Sequence, residues 1–500
     1  MKALLMYKDR DFDLKQKLPL NEQTLSQDLE LDTLFSAMAL EDEFLYMVAK
    51  VAVLSILEDL DTILYRQSIL KDCLKNSLVV KEIYAITMEA IEREKRIFFG
   101  YFSKYYPSSI LSRSIEVLQM FVGLLKQLRK ISDEHANKFE SDGFKNFFSM
   151  LDRELGDEYF ATIQIHLKEL KFRNGALISA ELGKGNKGAK YTLRLNENKK
   201  QHWVERLFTK KPPAYTFYIS ERDVTGAKIL SELKDRGINL VANSLAQSCE
   251  HILSFFNMLR AELAFYIGCL NLYDQLAQKR EPVSFPIPVD SSECTLSLKG
   301  LYDVCLALTK NEKIVGNDLN ADNKFLAIIT GANQGGKSTF LRSIGLAQLM
   351  MQCGMFVPAE SYRSSTCDRL FTHYKREEDV TMTSGKLDEE LSRMSFIIDH
   401  ITPNSLLLLN ESFSATNERE GSEIARQIMC ALLEKRIRVF FVTHLYKFSH
   451  DFYLKNPKDI IFLRAERQPD GERTFKIIEG EPLQTSFGED VYNLVFGAGN

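Results

Sequence analysis

The 500-residue chain has little glycine, proline or tryptophan: 25 Gly, 12 Pro and a single Trp. This excludes collagen-like and low-complexity chains, and the length suffices for about three domains with cores of their own. Charge of either sign is hardly in excess, since 64 Lys and Arg stand against 68 Asp and Glu, a net charge of −4. This balance argues against binding of nucleic acid through bulk charge, so any such contact must be local.

The eight cysteines form no C-x-x-C pair and no pattern with histidines that would complete a zinc site. We therefore expect reduced, mostly buried thiols. The N-terminus has too few apolar residues for a signal peptide, and the longest candidate for a membrane span, residues 44–57, is interrupted by Lys50. The sequence predicts a cytoplasmic protein without a membrane partner.

Two stretches of the chain have helical spacing of apolar residues. Residues 31–130 predict a helical region. A second helix is predicted from about Ser244 to Arg280, where apolar residues alternate at intervals of four and three: Leu259, Leu263, Tyr266, Leu270, Tyr273 and Ala277. A 3.5-residue repeat predicts lengthwise packing against another helix, and we favour a bundle core over a coiled coil with a partner protein.

Positive charge is concentrated between these helical stretches. Residues 168–211 hold 12 Lys and Arg against 4 Glu, so this segment carries +8 and the remainder of the chain carries −12. Within it, a glycine-rich turn at 183–188 lies between two predicted strands, 176–180 and 191–195. A basic hairpin of this kind could grip a phosphate backbone through Lys184, Lys187, Lys190 and Arg194. A solvated loop with surplus lysines remains the alternative.

Three prolines in residues 280–288 end the helical pattern and predict a domain boundary near residue 285. Beyond it, the apolar runs 325–329, 406–409 and 439–442 alternate with helical stretches. This alternation is typical of an α/β domain with a largely parallel sheet.

The segment from Gly331 to Ser338 is a complete G-x4-G-K-[ST] loop that follows a buried strand and precedes a helix. In such a loop the glycines let backbone N–H groups surround phosphate oxygens, the lysine contacts the β and γ phosphates, and the hydroxyl binds Mg²⁺. The sequence thus predicts a site for ATP and Mg²⁺. The expected nucleotide contacts are Gly331, Asn333, Gly335, Gly336, Lys337, Ser338 and Thr339.

A four-leucine strand further along ends in Asn410 and Glu411. Glu411 is placed to act as a general base on the water that attacks the γ-phosphate. Position 410 would ordinarily be Asp. The amide of Asn410 can still hold Mg²⁺ through a water, but it removes one negative charge, so metal affinity and turnover are in question. His444 follows the next strand and suits a γ-phosphate sensor.

This series of motifs resembles the MutS family of DNA mismatch repair ATPases, which belongs to the wider ABC class. The matching segments are 315–320, 331–340, 354–359, 368–372, 410–411 with Thr416 and Gly421, 441–444, and 486–488 with Val491. The resemblance implies a dimer in which a serine, here Ser384, reaches the nucleotide of the partner subunit. Where the family places an aromatic residue against adenine, this sequence has Ile314.

The resemblance extends more loosely upstream, and it implies four segments. Residues 1–130 are the first part of a helical core domain, 131–243 a clamp-like insertion with a basic β-tip, 244–285 a returning lever helix, and 286–500 the ATPase domain. Core-like helices begin by about residue 30, so we expect neither the family's mismatch-reading N-terminal domain nor its connector. The expected fold class is a multidomain chain: an α-helical core and lever with a small basic β-containing insertion, followed by an α/β P-loop NTPase domain.

The sequence as a whole predicts a DNA-binding, dimeric ATPase, in which ATP binding and hydrolysis move the lever and clamp on DNA backbone or a branched structure during repair or recombination. Two alternatives stay open. One is a nucleotide-gated scaffold with negligible hydrolysis because of Asn410. The other is an ABC or SMC-like machine that moves protein, against which the matches at 354–359 and 486–491 speak.

Overall fold

A computed structural model describes residues 1–99, 106–172, 175–194, 215–376, 385–455, 457–468 and 471–483. The chain divides into two compact units. The first, here called the hairpin unit, comprises Met1–Ala3, Lys81–Lys138 and Lys145–Arg260. The second, the sheet unit, comprises Leu4–Val80, Phe139–Phe144 and Ala261–Asn500. The four sequence segments named above stay a prediction.

Helices dominate the N-terminal half of the described chain. The α-helices are α1 (Glu22–Asp28), α2 (Leu31–Ala39), α3 (Glu43–Leu54), α4 (Leu60–Lys75), α5 (Ser77–Phe99), α6 (Pro107–His135), α7 (Asp142–Glu154), α8 (Asp157–Glu169), α9 (Val224–Gln278), α10 (Val304–Thr309), α11 (Lys337–Gln352), α12 (Lys386–His400), α13 (Glu418–Glu434) and α14 (Tyr446–Lys455). The helical character predicted for residues 31–130 is thereby confirmed in the described part of that range.

The strands of the described residues lie in one hairpin and two sheets. They are β1 (Leu177–Leu182), β2 (Gly188–Arg194), β3 (Ile287–Val289), β4 (Leu296–Leu301), β5 (Asn317–Asn320), β6 (Leu326–Gly331), β7 (Ser361–Ser365), β8 (Leu370–Tyr374), β9 (Leu406–Asn410), β10 (Arg438–Val442), β11 (Ile460–Arg467) and β12 (Arg473–Glu479). β1 and β2 pair antiparallel, which confirms the predicted hairpin.

The core of the hairpin unit forms between α6 and the first part of α9. Leu118 and Leu125, two turns apart on α6, are buried, and the rings of Phe121 and Phe256 have centroids 5.5 Å apart. Pro107 begins α6, where its missing N–H costs no helical hydrogen bond. The hairpin contacts α9 where Ile178 covers Gly237, at which an added Cβ would lie 2.7 Å from the Ile178 side chain.

The long helix α9 differs from its predicted bounds. It spans 55 residues from Val224, whereas the sequence pattern placed its start near Ser244. The earlier residues are mostly exposed and carry no apolar repeat, but they contain no proline to stop the helix. Most of the predicted seam is buried, including Leu263 and Leu270. At its end Leu276 is buried and Ala277 is exposed, so the strict repeat stops before that turn.

Two sequence features bear on the cellular compartment. All eight cysteines are free, and all but Cys249 and Cys430 are buried, as predicted. Contrary to expectation, Pro107–Lys138 and Val224–Gln278 are long and apolar enough to cross a membrane by length and composition alone. Their most apolar windows are 56% and 72% buried inside the protein, as in core helices, so they are weak evidence for a membrane span.

The larger sheet of the sheet unit has the strand order β12-β11-β6-β10-β9-β8. β6, β8, β9, β10 and β11 run parallel, and β12 pairs antiparallel with β11 at one edge. All of β6 is buried, as are the four leucines of β9, because a parallel sheet is covered on both faces. A smaller sheet has the order β3-β7-β4-β5. The predicted largely parallel sheet is confirmed.

An apolar core packs α12, α13 and α14 against the larger sheet. Buried side chains of β9 and β10, among them Leu407 and Phe441, pack with Met429 of α13 and Phe448 of α14. The parallel register brings the carboxyl ends of β6, β8, β9 and β10 to one edge of the sheet. At this edge the polar residues that follow each strand can meet.

Candidate nucleotide-binding site

The glycine loop joins β6 to α11 and is shaped by close packing. Gly331 and Gly336 have φ of 108° and 87°, the left-handed region in which a side chain is strained. An added Cβ at Gly331 would lie 2.9 Å from the backbone nitrogen of Ala465 in β11, and one at Gly335 would lie 2.7 Å from the Ala465 methyl group. The loop therefore needs glycine for its backbone conformation and for its contact with β11.

The ammonium group of Lys337 lies within the loop. Its Nζ donates hydrogen bonds to the carbonyl oxygens of Gly331, at 3.0 Å, and Ala332, at 2.9 Å. Burial lowers the pKa of Lys337 to about 8, while the Glu411 carboxylate acts in the opposite direction. Because the carbonyl groups only partly replace water, this ammonium is well placed to exchange them for phosphate oxygens.

Ser338 and Asn410, for which the sequence predicts roles in one metal site, are in direct contact. The Ser338 hydroxyl donates to Asn410 Oδ1 at 3.0 Å. Asn410 ends β9 between Val442 of β10 and Tyr374 of β8. The parallel register of three strands thus fixes the amide at the mouth of the loop.

Glu411 lies next to Asn410, and its carboxylate has two cationic or donor neighbours. His444 Nε2 donates to Oε1 at 3.2 Å, and Lys375 Nζ lies 4.0 Å from Oε2. The hydrogen bond from His444 holds the pKa of Glu411 below its ordinary value, although burial acts the other way. Glu411 is therefore ionised at neutral pH, as a group that accepts a proton must be.

Lys337, Ser338 and Glu411 border one cavity of about 690 Å³, a size suited to a nucleotide. The loop from Asn333 to Thr339, Glu411 and the segment 310–315 line it. Ile314 is among them, and its backbone N–H donates to Glu281 Oε1 at 2.9 Å. The structure thus brings Glu411 and the predicted loop residues, except Gly331, to one cavity.

Two residues of β12 were not found by sequence reasoning. Phe475 lines the same cavity as Ile314 and is 48% exposed, so the cavity has an aromatic side chain in its wall. Arg473 Nε donates to the Asn333 carbonyl oxygen at 3.2 Å and so ties β12 to the loop. No motif marks either residue, and each lies about 140 residues from the loop along the chain.

The donor set fits magnesium as a companion of nucleotide phosphates. Mg²⁺ prefers oxygen ligands and binds through one or two carboxylates, waters and phosphates. The Ser338 hydroxyl, the Asn410 amide oxygen and the Glu411 carboxylate supply such oxygens. Within the described residues no group of three or more His, Cys, Asp and Glu side chains could hold a metal by itself. A metal here would accordingly depend on the nucleotide for much of its coordination.

The four predicted DNA contacts lie on the β1–β2 hairpin. Lys184 and Lys187 are exposed in its turn. Lys190 pairs with Glu181 across the hairpin at 2.9 Å, and Arg194 Nε donates to a neighbouring serine hydroxyl at 2.9 Å. Among the described side chains, Lys184 and Lys187 are thus the two of the four that contact neither a carboxylate nor a hydroxyl group.

Three groups of predicted residues lie outside the described residues. They are Ser384, Ser486–Gly488 with Val491, and the cations between 195 and 211.

A buried strand, a glycine loop leading into a helix, and polar residues ending the neighbouring parallel strands are typical of the class of phosphate-loop nucleotide-binding proteins. Two family models match the chain: the MutS2 N-terminal domain over residues 58–279, and MutS domain V over residues 327–497. The chain belongs to the MutS family, as its motifs predicted.

Relatives named DNA mismatch repair protein MutS support this assignment. The protein of Prochlorococcus marinus (strain MIT 9301) is 29% identical over 326 residues, which is 63% of this chain and 35% of the relative. That of Alkaliphilus oremlandii is 29% identical over 272 residues, 50% of this chain and 31% of the relative. That of Syntrophomonas wolfei is 32% identical over 192 residues, 38% of this chain and 22% of the relative. The chain spans about a third or less of the length of these relatives.

Proposed function

We propose that this protein binds ATP with Mg²⁺ and hydrolyses it slowly. The observation that carries the proposal is the meeting of Lys337, Ser338 and Glu411 at one cavity of nucleotide size, with Asn410 hydrogen-bonded to Ser338. An ammonium, a hydroxyl, an amide and an ionised carboxylate thus meet at one edge of a parallel sheet.

Each side chain has a separate part in the proposed reaction. Lys337 and the backbone N–H groups of the loop bind the phosphates, and Lys337 exchanges its carbonyl partners for phosphate oxygens. Glu411 accepts the proton of the attacking water, and His444 orients Glu411 and senses the γ-phosphate. Mg²⁺, when bound, neutralises phosphate charge. Ser338, Asn410 through a water, and Glu411 would hold it.

Asn410 supports a second candidate function, a nucleotide-gated scaffold with negligible hydrolysis. Its neutral amide leaves the metal site one negative charge short of the usual aspartate. The hydrogen bond from His444 also keeps the pKa of Glu411 low, which weakens that carboxylate as a base. Both effects slow hydrolysis while leaving phosphate binding by Lys337 intact.

The exposed cations of the hairpin support DNA binding as part of the same proposal. Lys184 and Lys187 lie at its tip, and the segment 168–211 carries +8, so a phosphate backbone is a suitable partner. We also propose a homodimer in which Ser384 contacts the partner's nucleotide. Nucleotide then shifts the population between two dimer geometries, because only one of them makes the γ-phosphate contacts.

ATP turnover by the purified protein tests these proposals. It is measured without DNA, with duplex DNA and with branched DNA, beside Lys337→Ala as the background and Glu411→Ala. Turnover above the Lys337→Ala background, stimulated by DNA and lost in Glu411→Ala, is the expected result. Absence of turnover with retained nucleotide binding would overturn the ATPase proposal and favour the nucleotide-gated scaffold. Recovery of turnover in Asn410→Asp would then show that Asn410 is the cause of the missing hydrolysis.

A further inference from the structure

The turn that follows β9 has an unfavourable backbone conformation beside the proposed base. Glu411 and Phe413 have φ of 55° and 63°, in the left-handed region that residues other than glycine rarely adopt. Ser412 between them is fully buried, as is Phe413. Such a turn persists only where the surrounding contacts determine it.

His373, in β8, supplies these contacts. Its Nδ1 lies 2.7 Å from Ser412 Oγ, and its ring stacks on the Phe413 ring with centroids 5.8 Å apart and an interplanar angle of 24°. On the opposite side, Nε2 lies 3.0 Å from the carbonyl oxygen of Glu390 in α12. The His373 side chain is fully buried. One side chain thus connects β8, α12 and the turn after β9.

The partners of His373 determine where its hydrogen lies. The Glu390 carbonyl oxygen can only accept, so Nε2 carries the hydrogen of the neutral ring. Nδ1 can then only accept, and the single hydrogen of the Ser412 hydroxyl is shared between Nδ1 and the His373 carbonyl oxygen. The same hydroxyl also lies 2.8 Å from the His373 carbonyl oxygen. Burial lowers the pKa of His373 to about 4, so the ring is neutral at physiological pH. His373 therefore acts on the turn through its hydrogen bonds and packing and not through a charge.

Glu411 is held independently on its other side. Its backbone N–H donates to the Val442 carbonyl oxygen at 2.8 Å, and its carboxylate accepts from His444. The direction of the carboxylate therefore depends on the turn behind it as well as on β10.

We propose that His373 is a positioning residue that, by holding Ser412 and Phe413, directs the Glu411 carboxylate toward the cavity. The inference rests on the proposed function of Glu411 in ATP hydrolysis. A histidine that only fills the core would stabilise the fold equally, but it would not influence kcat separately from nucleotide affinity.

The test compares ATP turnover and nucleotide affinity in variants of the two hydrogen-bonded side chains. His373→Phe keeps a stacked ring and removes both hydrogen bonds, and Ser412→Ala removes one partner. Each is expected to lower kcat by about 10- to 100-fold, because small displacements of a reacting group are costly. Nucleotide Kd should stay within about twofold, since Lys337 and the loop bind the phosphates. The double variant should be no slower than the slower single one, because the pair acts as a unit. His373→Asn, which restores a polar group near Nδ1, should recover part of kcat.

Ser449→Ala is the matched control, because Ser449 of α14 is a fully buried serine of the same unit, and its hydroxyl donates to the carbonyl oxygen of Leu445 just before that helix. Its kcat should equal that of the wild type. Unchanged kcat in folded His373→Phe and Ser412→Ala would overturn the positioning role and leave the ATPase proposal standing. So would a parallel loss of nucleotide affinity, or an equal loss in Ser449→Ala. If thermal melting shows that His373→Phe does not fold, Ser412→Ala decides. A wild type without turnover above Lys337→Ala overturns the proposed function, and this inference with it.

Discussion

The buried ammonium of Lys337 should make nucleotide affinity fall at alkaline pH. In the free protein burial lowers its pKa to about 8, from an ordinary value of 10.5. Bound phosphates place negative charge beside the ammonium and raise its pKa to the ordinary value or above it. Between these two pKa values the bound state holds one proton more than the free state, so affinity falls as pH rises above 8.

The expected size of this effect follows from the two pKa values. Affinity should fall by about tenfold between about pH 7 and pH 9, and by about another tenfold by pH 10. The same pKa shift also affects the stability of the free protein, which should rise with pH where nucleotide affinity falls. Unfolded Lys337 has the ordinary pKa of 10.5, so burying the charge costs the free protein about 3 kcal/mol at neutral pH. This cost disappears as pH rises from about 8 to 10.5.

The assay is the Kd of a non-hydrolysable ATP analogue measured across this pH range. Calorimetry in two buffers of different ionisation enthalpy should show uptake of up to one proton on binding above pH 8. Lys337→Arg is the control, since its guanidinium stays charged throughout and any binding it retains should be independent of pH. A wild-type affinity that is constant over about two pH units above 8 would refute the reasoning.

Three further predictions concern the metal site, the hairpin and the cavity. Asn410→Asp should raise kcat and lower the Mg²⁺ concentration at half-maximal turnover, because it restores a carboxylate; a metal titration that matches the wild type would contradict this. The double variant Lys184→Glu, Lys187→Glu should weaken DNA binding and flatten its dependence on salt. Lys190→Glu should have a smaller effect, because the Lys190 side chain is already paired within the hairpin. Equal effects in a filter-binding assay would contradict a DNA-binding role of the two turn lysines. Phe475→Ala should weaken ATP binding by about 1 kcal/mol through lost stacking, measured by calorimetry, whereas inorganic triphosphate should bind equally well to both proteins.

The sequence was sufficient to predict the parts of the fold that depend on local signals. The glycine loop, the buried strand before it and the leucine strand ending at Asn410 each contain their own pattern of residues. The parallel sheet then brings Asn410 to Ser338, 72 residues away in the chain, because the carboxyl ends of its strands meet at one edge. The chemical roles of these residues stay predictions until turnover is measured.

Other parts could not be predicted because they depend on packing between distant segments. His373 belongs to no motif, and only the pairing of β8 with β9 brings it beside Ser412. Phe475 reaches the cavity through the hairpin of β11 and β12. The start of α9 at Val224 was missed for a different reason: its exposed first turns lack an apolar repeat, the signal on which helix prediction rests.

The contact of the glycine loop with β11 has a consequence for how variants of this protein are judged. Ala465 is buried and faces both Gly331 and Gly335, so no larger side chain fits there without moving the loop. Ala465→Val is usually regarded as a conservative substitution. Its extra methyl groups would nevertheless crowd Gly331 and Gly335, as an added Cβ at either glycine would crowd Ala465. The requirement for small residues in the phosphate loop thus extends to a residue about 130 positions beyond the motif, which pattern searches would treat as free to vary.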